Sequence, residues 1–261
     1  MVIARLTSLS GFPLVKLLRF MAELLRGSLV LWLHFPQLHR DDKLQQIQHW
    51  ARRVLLILDI EVQCDGLPPT ACAGLVVANH LSWLDILVIQ SLMPGVFVAK
   101  AEVQRWPLVG SMAQACETIF VERSSPRSAR AMVEGTMKAF EQGYSVVAFP
   151  EGTSSDGSDL AVFHSNIFES AIKAQTHVQP VTLRYVHGPT GLPTDAALFI
   201  GDMTLMSSLR QVMARATIRT HVHIGERIYS QGQTRKSLAH QAHQSIRGQL
   251  ARHRHGFGPN S

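Results

Sequence analysis

The run Asn79-His80-Leu81-Ser82-Trp83-Leu84-Asp85 sets a histidine five residues ahead of a carboxylate. A chain that turns within those five residues can bring the two into hydrogen-bond contact. The carboxylate would then fix the imidazole tautomer and stabilise the imidazolium, which prepares the ring to take a proton. By itself the pair is equally consistent with a loop histidine bonded for structure. A second run, Phe149-Pro150-Glu151-Gly152-Thr153-Ser154-Ser155, follows an apolar stretch. Gly152 permits close backbone approach, and the hydroxyl residues after it bring hydroxyls and N–H donors. Such a loop can hold an anion, although an ordinary turn uses the same residues. Arg123 closes a third apolar run, Thr118-Ile119-Phe120-Val121, and a guanidinium grips phosphate or carboxylate in two-point fashion. A surface ion pair with Glu117 or Glu122 is the alternative for Arg123.

Each of these three features stands at the end of a β-rich run, where α/β folds place their sites. The texture from residue 59 onward supports that architecture. Short apolar or β-branched runs at 60–64, 74–78, 96–99, 118–121, 145–149, 179–185, 197–200 and 218–224 read as strands. Helical patterns lie between many of them, at 83–91, 107–116, 126–142 and 166–174. Ser125 before Pro126 is a capping serine ahead of a first-turn proline. Residues 234–254 read as a final basic helix. The expected fold is α/β, a largely parallel or mixed sheet covered by helices.

Residues 1–58 have a different character. From 12 to 38 the chain is apolar, with Lys16, Arg19, Glu23 and Arg26 falling on one stripe of a helix and leucines and Met21 covering the rest. It lacks a signal-peptide cleavage site and the uninterrupted apolar length of a spanning helix. A helix lying in the bilayer interface, its basic stripe toward anionic headgroups, is the expectation. Docking on the protein's own core and a true span are the alternatives. A second amphipathic helix, with Leu44, Ile47, Ala51, Val54 and Leu58 at helical spacing, completes a hairpin. The division expected is 1–58 membrane association, 59–233 the α/β body, and 234–261 a basic helix and tail.

Composition narrows the function classes. The 261 residues are 46% hydrophobic and 17% charged, with mean hydropathy +0.08, which excludes a disordered or fibrous chain. The net charge is +6, distributed as +5 over residues 1–58, −7 over 59–202 and +8 over 203–261. Basic ends suit a membrane surface or nucleic acid, but helix-turn-helix, RNA-binding and zinc-finger patterns are absent, so no nucleic-acid partner is expected. Three cysteines, Cys64, Cys72 and Cys116, are odd in number and lack metal-site spacing, which disfavours a disulfide framework. His240, His243, His253 and His255 sit in the basic C-terminal segment without a Cys or carboxylate cluster and read as a solvated face rather than a metal site. There is no Gly-x-Ser-x-Gly nucleophile elbow, which argues against a serine hydrolase.

Taken together, His80-x4-Asp85, Phe120-Val121-Glu122-Arg123, Phe149-Pro150-Glu151-Gly152-Thr153 and Val178-Gln179-Pro180-Val181 resemble, in order and rough spacing, the four motifs of the glycerolipid acyltransferases. The nearest branch is the bacterial 1-acylglycerol-3-phosphate acyltransferases. The resemblance covers about residues 44–228, and the family's N-terminal two-helix membrane motif parallels residues 12–58. It implies that His80 is the general base for a lysophospholipid hydroxyl attacking the thioester of acyl-CoA or acyl carrier protein, with Asp85 orienting it. Neither acyl-enzyme, metal nor cofactor is implied. Arg123, the Glu151-Gly152-Thr153 loop and Lys100 at a strand end would hold the acceptor phosphate. Two departures bear on the acceptor. Many phosphatidate-forming members carry Arg where this chain has Ser154, and Gly and Asp where it has Glu117 and Glu122. The stretch from Glu151 to Gly157 is similar to members that acylate lyso-ornithine lipids. A silent lipid-binding scaffold is the non-enzymatic alternative. The expected location is the cytoplasmic face of the inner membrane.

Overall fold

A computed structural model describes residues 13–66, 73–122, 125–214 and 217–255. Arg123 and Cys72 therefore lie outside the described residues. Two helices open the chain, α1 (Pro13–Leu33) and α2 (Arg40–Ile57). The body follows as β1 (Ile60–Asp65), β2 (Leu75–Ala78), α3 (Leu84–Leu92), β3 (Val96–Lys100), α4 (Val109–Ala115), β4 (Ile119–Val121), α5 (Pro126–Glu141) and β5 (Val146–Ala148). Then come α6 (Phe168–Lys173), β6 (His177–His187), α7 (Leu205–Ala214), β7 (Ile218–Ile224), β8 (Ile228–Tyr229) and α8 (Arg235–His255).

The strands form one sheet in the order β1-β7-β6-β2-β5-β3-β4, with β8 on β6. Its pairings are parallel except those of β6 with β7 and β8, so the sheet is mixed as expected. Strand β2 shows why helices must cover both faces. Its four residues are all buried, and because side chains alternate, Val76 and Ala78 join one core while Leu75 and Val77 join the other. The first core takes Phe20, Val54, Leu58, Leu84 and Val88 from α1, α2 and α3 and the residue after α2. The second takes Phe168 and Ala171 from α6 and Leu238, Ala239, Ala242 and Ile246 from α8. The basic C-terminal helix is thus docked through an apolar stripe. Helix α5 starts where Ser125 Oγ accepts the Ser128 N–H at 3.0 Å, with proline at the next position.

Three expectations change. Residues 197–200 are not a strand. Ala197 is buried in a turn, and the Phe199 N–H donates to the Leu81 carbonyl at 2.9 Å instead of joining a ladder. The basic stripe of α1 is partly engaged by the protein itself, while Arg19 stays exposed. Lys16 pairs with Asp59 at 2.8 Å, and Glu23, 3% exposed, accepts from both Arg26 and Arg53. These charges clasp α1 to the protein, while Leu14, Leu18, Met21, Leu25, Leu29 and Trp32 form an exposed apolar stripe on the opposite side. No helix among the described residues is long and apolar enough to cross a membrane. Finally, His243 is only half-exposed; it lies edge-on against Phe163 with ring centroids 5.1 Å apart.

Candidate active site

The sheet order explains how distant residues meet. β2, β5, β3 and β4 are adjacent and parallel, so their carboxyl ends share one edge. His80 follows β2, the 149–155 loop follows β5, Lys100 ends β3, and Glu122 follows β4. β6 runs parallel beside β2, with Val181 opposite Ala78, and continues past its end. That overhang places Leu183 and Tyr185 beside the loop carrying His80. Asn79 uses it first: its amide donates to the Leu183 carbonyl at 3.0 Å and accepts the Leu183 N–H at 2.8 Å.

Asp85 lies in the first turn of α3 and is fully buried, at 0% exposure. Its Oδ2 accepts from His80 Nδ1 at 2.8 Å and from the N–H groups of Leu81 and Ser82 at 2.7 and 2.9 Å. Its Oδ1 accepts the Tyr185 hydroxyl at 2.7 Å. Burial, and then the neighbouring carboxylate, push the Tyr185 phenol well above its ordinary range, which keeps it a donor. Oδ2 is thus approached by three donors and Oδ1 by one. The helix N-terminus adds further stabilisation of negative charge. With a carboxylate as its partner, Nδ1 carries the proton, and Nε2 is left as the acceptor. The ring stacks on Phe149, with centroids 4.0 Å apart and planes at 14°, which fixes its orientation. Ser82 is no nucleophile: it is buried, and its Oγ accepts the Leu84 N–H.

Glu151 is placed in the expected loop, but its carboxylate is not available to a ligand. Oε1 accepts the His80 N–H at 2.7 Å, and Oε2 accepts the Ala161 N–H at 3.1 Å. Burial raises its pKa, partly opposed by those two bonds. An anion is also the wrong charge for a phosphate ligand, so Glu151 braces the His80 backbone instead. Gly152, at φ +72°, supplies the left-handed turn that brings the chain back. Ser155 completes the brace by donating its N–H to the His80 carbonyl at 2.9 Å. The Ser154 hydroxyl is turned onto the Phe199 carbonyl.

His80, Phe149, Gly152, Thr153 and Lys100 line a single cleft of about 1940 Å³. Its remaining walls are mostly apolar, with Leu24 of α1, Val54 of α2 and Met112 of α4 among them. The cleft therefore joins a positioned base to a space suited to hydrocarbon. Among the described residues no group of three or more His, Cys, Asp and Glu is arranged to hold a metal ion. The sequence brings His80, Asp85 and the 151–153 loop into view. It does not reveal Tyr185, which is one of many aromatic residues until β6 is known to overrun β2. Phe149 opens the 149–155 run, but nothing in its spacing signals a stack on His80.

A family model described as Acyltransferase matches residues 60–184. A lyso-ornithine lipid O-acyltransferase of Pseudomonas aeruginosa is 38% identical over 76% of this chain and 75% of its own length. A 1-acyl-sn-glycerol-3-phosphate acyltransferase of Neisseria meningitidis is 36% identical over 65% of this chain and 67% of its own. The crystal structure of PlsC, the 1-acyl-sn-glycerophosphate acyltransferase of Thermotoga maritima, shares the fold at TM-score 0.63 and 20% identity. The match covers 93% of this chain and 99% of that one. With a buried carboxylate-bonded histidine at the strand ends and relatives of this extent, the chain belongs to the acyltransferase family.

Proposed function

We propose that this acyltransferase moves a fatty acyl group from acyl-CoA or acyl carrier protein to the free hydroxyl of a lysolipid, with His80 as general base. The observation that carries the reading is the Asp85-bonded imidazole opening on an apolar cleft. An alcohol is far too weak an acid to ionise near neutrality and needs a base as it attacks, whereas a thioester already has a good leaving group. Nε2 takes the hydroxyl proton while the oxygen forms its bond to the thioester carbonyl carbon. The tetrahedral intermediate collapses with cleavage of the C–S bond, and His80 returns the proton to the departing thiolate. Asp85 holds the tautomer and stabilises the transient imidazolium. Gly152 and Thr153 contribute the loop that meets the acceptor. Lys100, at the end of β3, and Arg123 supply positive charge for the acceptor headgroup.

For the acceptor, the motif resemblance and the Neisseria relative favour 1-acylglycerol-3-phosphate, giving phosphatidate. A lyso-ornithine lipid is the second reading, supported by the Pseudomonas relative and by Ser154, whose side chain is uncharged and engaged with Phe199. We also place the enzyme on the cytoplasmic face of the inner membrane, held in the interface by residues 1–58. The exposed apolar stripe of α1 is the support for that contact. The 59–233 segment performs the chemistry, and helix α8 of the basic 234–261 segment completes its core. Incubating the purified protein with acyl-CoA, acyl carrier protein and a panel of lysolipids tests the reading. A new diacyl product from one lysolipid is expected, and no acyl transfer to any lysolipid hydroxyl would refute it.

A further inference from the structure

Two consecutive peptide units hold Asp85, and each is gripped from outside the turn that contains it. The N–H groups of Leu81 and Ser82 both donate to Asp85 Oδ2, at 2.7 and 2.9 Å. A trans peptide is planar, with its N–H and C=O pointing in opposite directions, so whatever holds the oxygen also aims the N–H. In the His80–Leu81 peptide the oxygen accepts the Ser155 N–H at 2.9 Å. In the Leu81–Ser82 peptide the oxygen accepts the Phe199 N–H, also at 2.9 Å. Phe199 lies in the irregular stretch before α7, and its own carbonyl accepts the Ser154 hydroxyl. Adjacent serines thus brace both peptides, Ser155 directly and Ser154 through Phe199.

The stretch that carries Phe199 is firmly seated. On one side Ala196 and Ala197 are buried in the core they share with Leu84 and Leu87 of α3. On the other, Ser208 of α7 is fully buried, and its Oγ accepts the Trp83 indole N–H at 3.0 Å. Trp83 stands at the N-terminal boundary of α3, just ahead of Asp85. With that seat fixed, a bond at Phe199 constrains the catalytic turn instead of following it. We propose that Ser154 is a positioning residue for His80. Its hydroxyl holds Phe199, Phe199 holds the Leu81–Ser82 peptide, and that peptide holds Asp85 against the imidazole. The hydroxyl proton is committed to the Phe199 carbonyl, so Ser154 acts on the base and not on the acceptor headgroup. The catalytic consequence rests on the reading of His80 as general base, since a misaimed imidazole slows transfer only if it takes the acceptor proton.

The test uses the full-length protein with Ser154→Ala, and with Ser154→Thr as the conservative variant that keeps a hydroxyl. Steady-state transfer from acyl-CoA to the best lysolipid acceptor gives kcat and both KM values. Ser154→Ala should lower kcat about fivefold, the size of one neutral hydrogen bond, with both KM values unchanged. Ser154→Thr should stay close to wild type. The tautomer of His80 is a second readout and needs no turnover. In protein carrying isotope-labelled histidine, the ring-nitrogen shifts of His80, assigned by their absence from His80→Ala protein, report which nitrogen holds the proton. Measured where the ring is neutral, wild type should show the proton on Nδ1. In Ser154→Ala the shifts should move toward the mixed-tautomer values of free imidazole, and in Ser154→Thr they should not. A smaller folded fraction would lower kcat without moving them. Unmoved shifts in Ser154→Ala, or a raised acceptor KM with kcat unchanged, would overturn the positioning role. Moved shifts in a protein that transfers no acyl group to any lysolipid would keep the chain of bonds and remove the proposed reaction. Turnover by the wild type with unmoved shifts in Ser154→Ala would do the reverse.

Discussion

The Tyr185 hydroxyl donates to Asp85 Oδ1 at 2.7 Å, on the oxygen that His80 does not use. A residue one hundred positions away thus completes the shell of a buried carboxylate. Removing the hydroxyl leaves Oδ1 without its donor inside the protein. Tyr185→Phe should lower kcat about tenfold, from the loss of one hydrogen bond to a charged group, with little change in either KM. Because Tyr185 acts through Asp85, it should add almost nothing in an Asp85→Asn background. A double-mutant cycle on initial rates checks this; full multiplicative loss would show that Tyr185 acts elsewhere.

The clasp between α1 and α2 predicts a pH-dependent contribution to stability. Burial acts to raise the Glu23 pKa, but hydrogen bonds from Arg26 and Arg53 outweigh it and leave the carboxyl below its ordinary 4.5. A lowered folded value means the contribution is present above the unfolded pKa and disappears as pH falls through the folded one. Glu23→Gln should therefore cost about 1 kcal/mol near neutrality, or about 3 °C in Tm. Melting curves of wild type and variant should converge on acidification. A gap that persists well below pH 4.5 would show that the clasp's charge is not what matters.

Membrane attachment should depend on the apolar stripe of α1 more than on its basic residues, of which Arg19 is the exposed one outside the clasp. Lys16 and Arg26 are engaged with Asp59 and Glu23, whereas Leu18, Leu25 and Trp32 are exposed, Trp32 at 78%. Replacing those three with Ser or Gln should abolish sedimentation with vesicles while leaving Tm nearly unchanged. Binding to zwitterionic vesicles should be almost as strong as to anionic ones. A strong requirement for anionic lipid would restore the basic stripe as the attractant. Point variants are the better probe, because deleting 1–38 would also remove Phe20 from the core.

Most of the strand-end chemistry was legible in the sequence, because parallel strands bring their carboxyl ends to one edge and the motifs mark those ends. His80 with Asp85, and the 151–153 loop, follow from that rule. The role of Glu151 did not, since a carboxylate beside glycine reads the same whether it faces a ligand or a backbone N–H. The 197–200 run reads as a strand by composition, yet its backbone makes local turn bonds and one long-range backbone–backbone bond, from Phe199 to the Leu81 carbonyl, a tertiary contact that no local pattern encodes. Helix α7 carries its own local signal, with Leu205, Leu209, Val212 and Met213 at helical spacing. The direction of the α1 stripe required knowing that Asp59 and Arg53 lie beneath it.

The central claim is that the Asp85-bonded His80 takes the acceptor proton. Steady-state transfer from acyl-CoA to the best lysolipid acceptor, measured for wild type and His80→Ala at equal folded concentration, tests it most directly. Loss of the base should reduce kcat by about 10²–10⁴-fold with the melting temperature nearly unchanged. Near-wild-type turnover by His80→Ala would contradict the account.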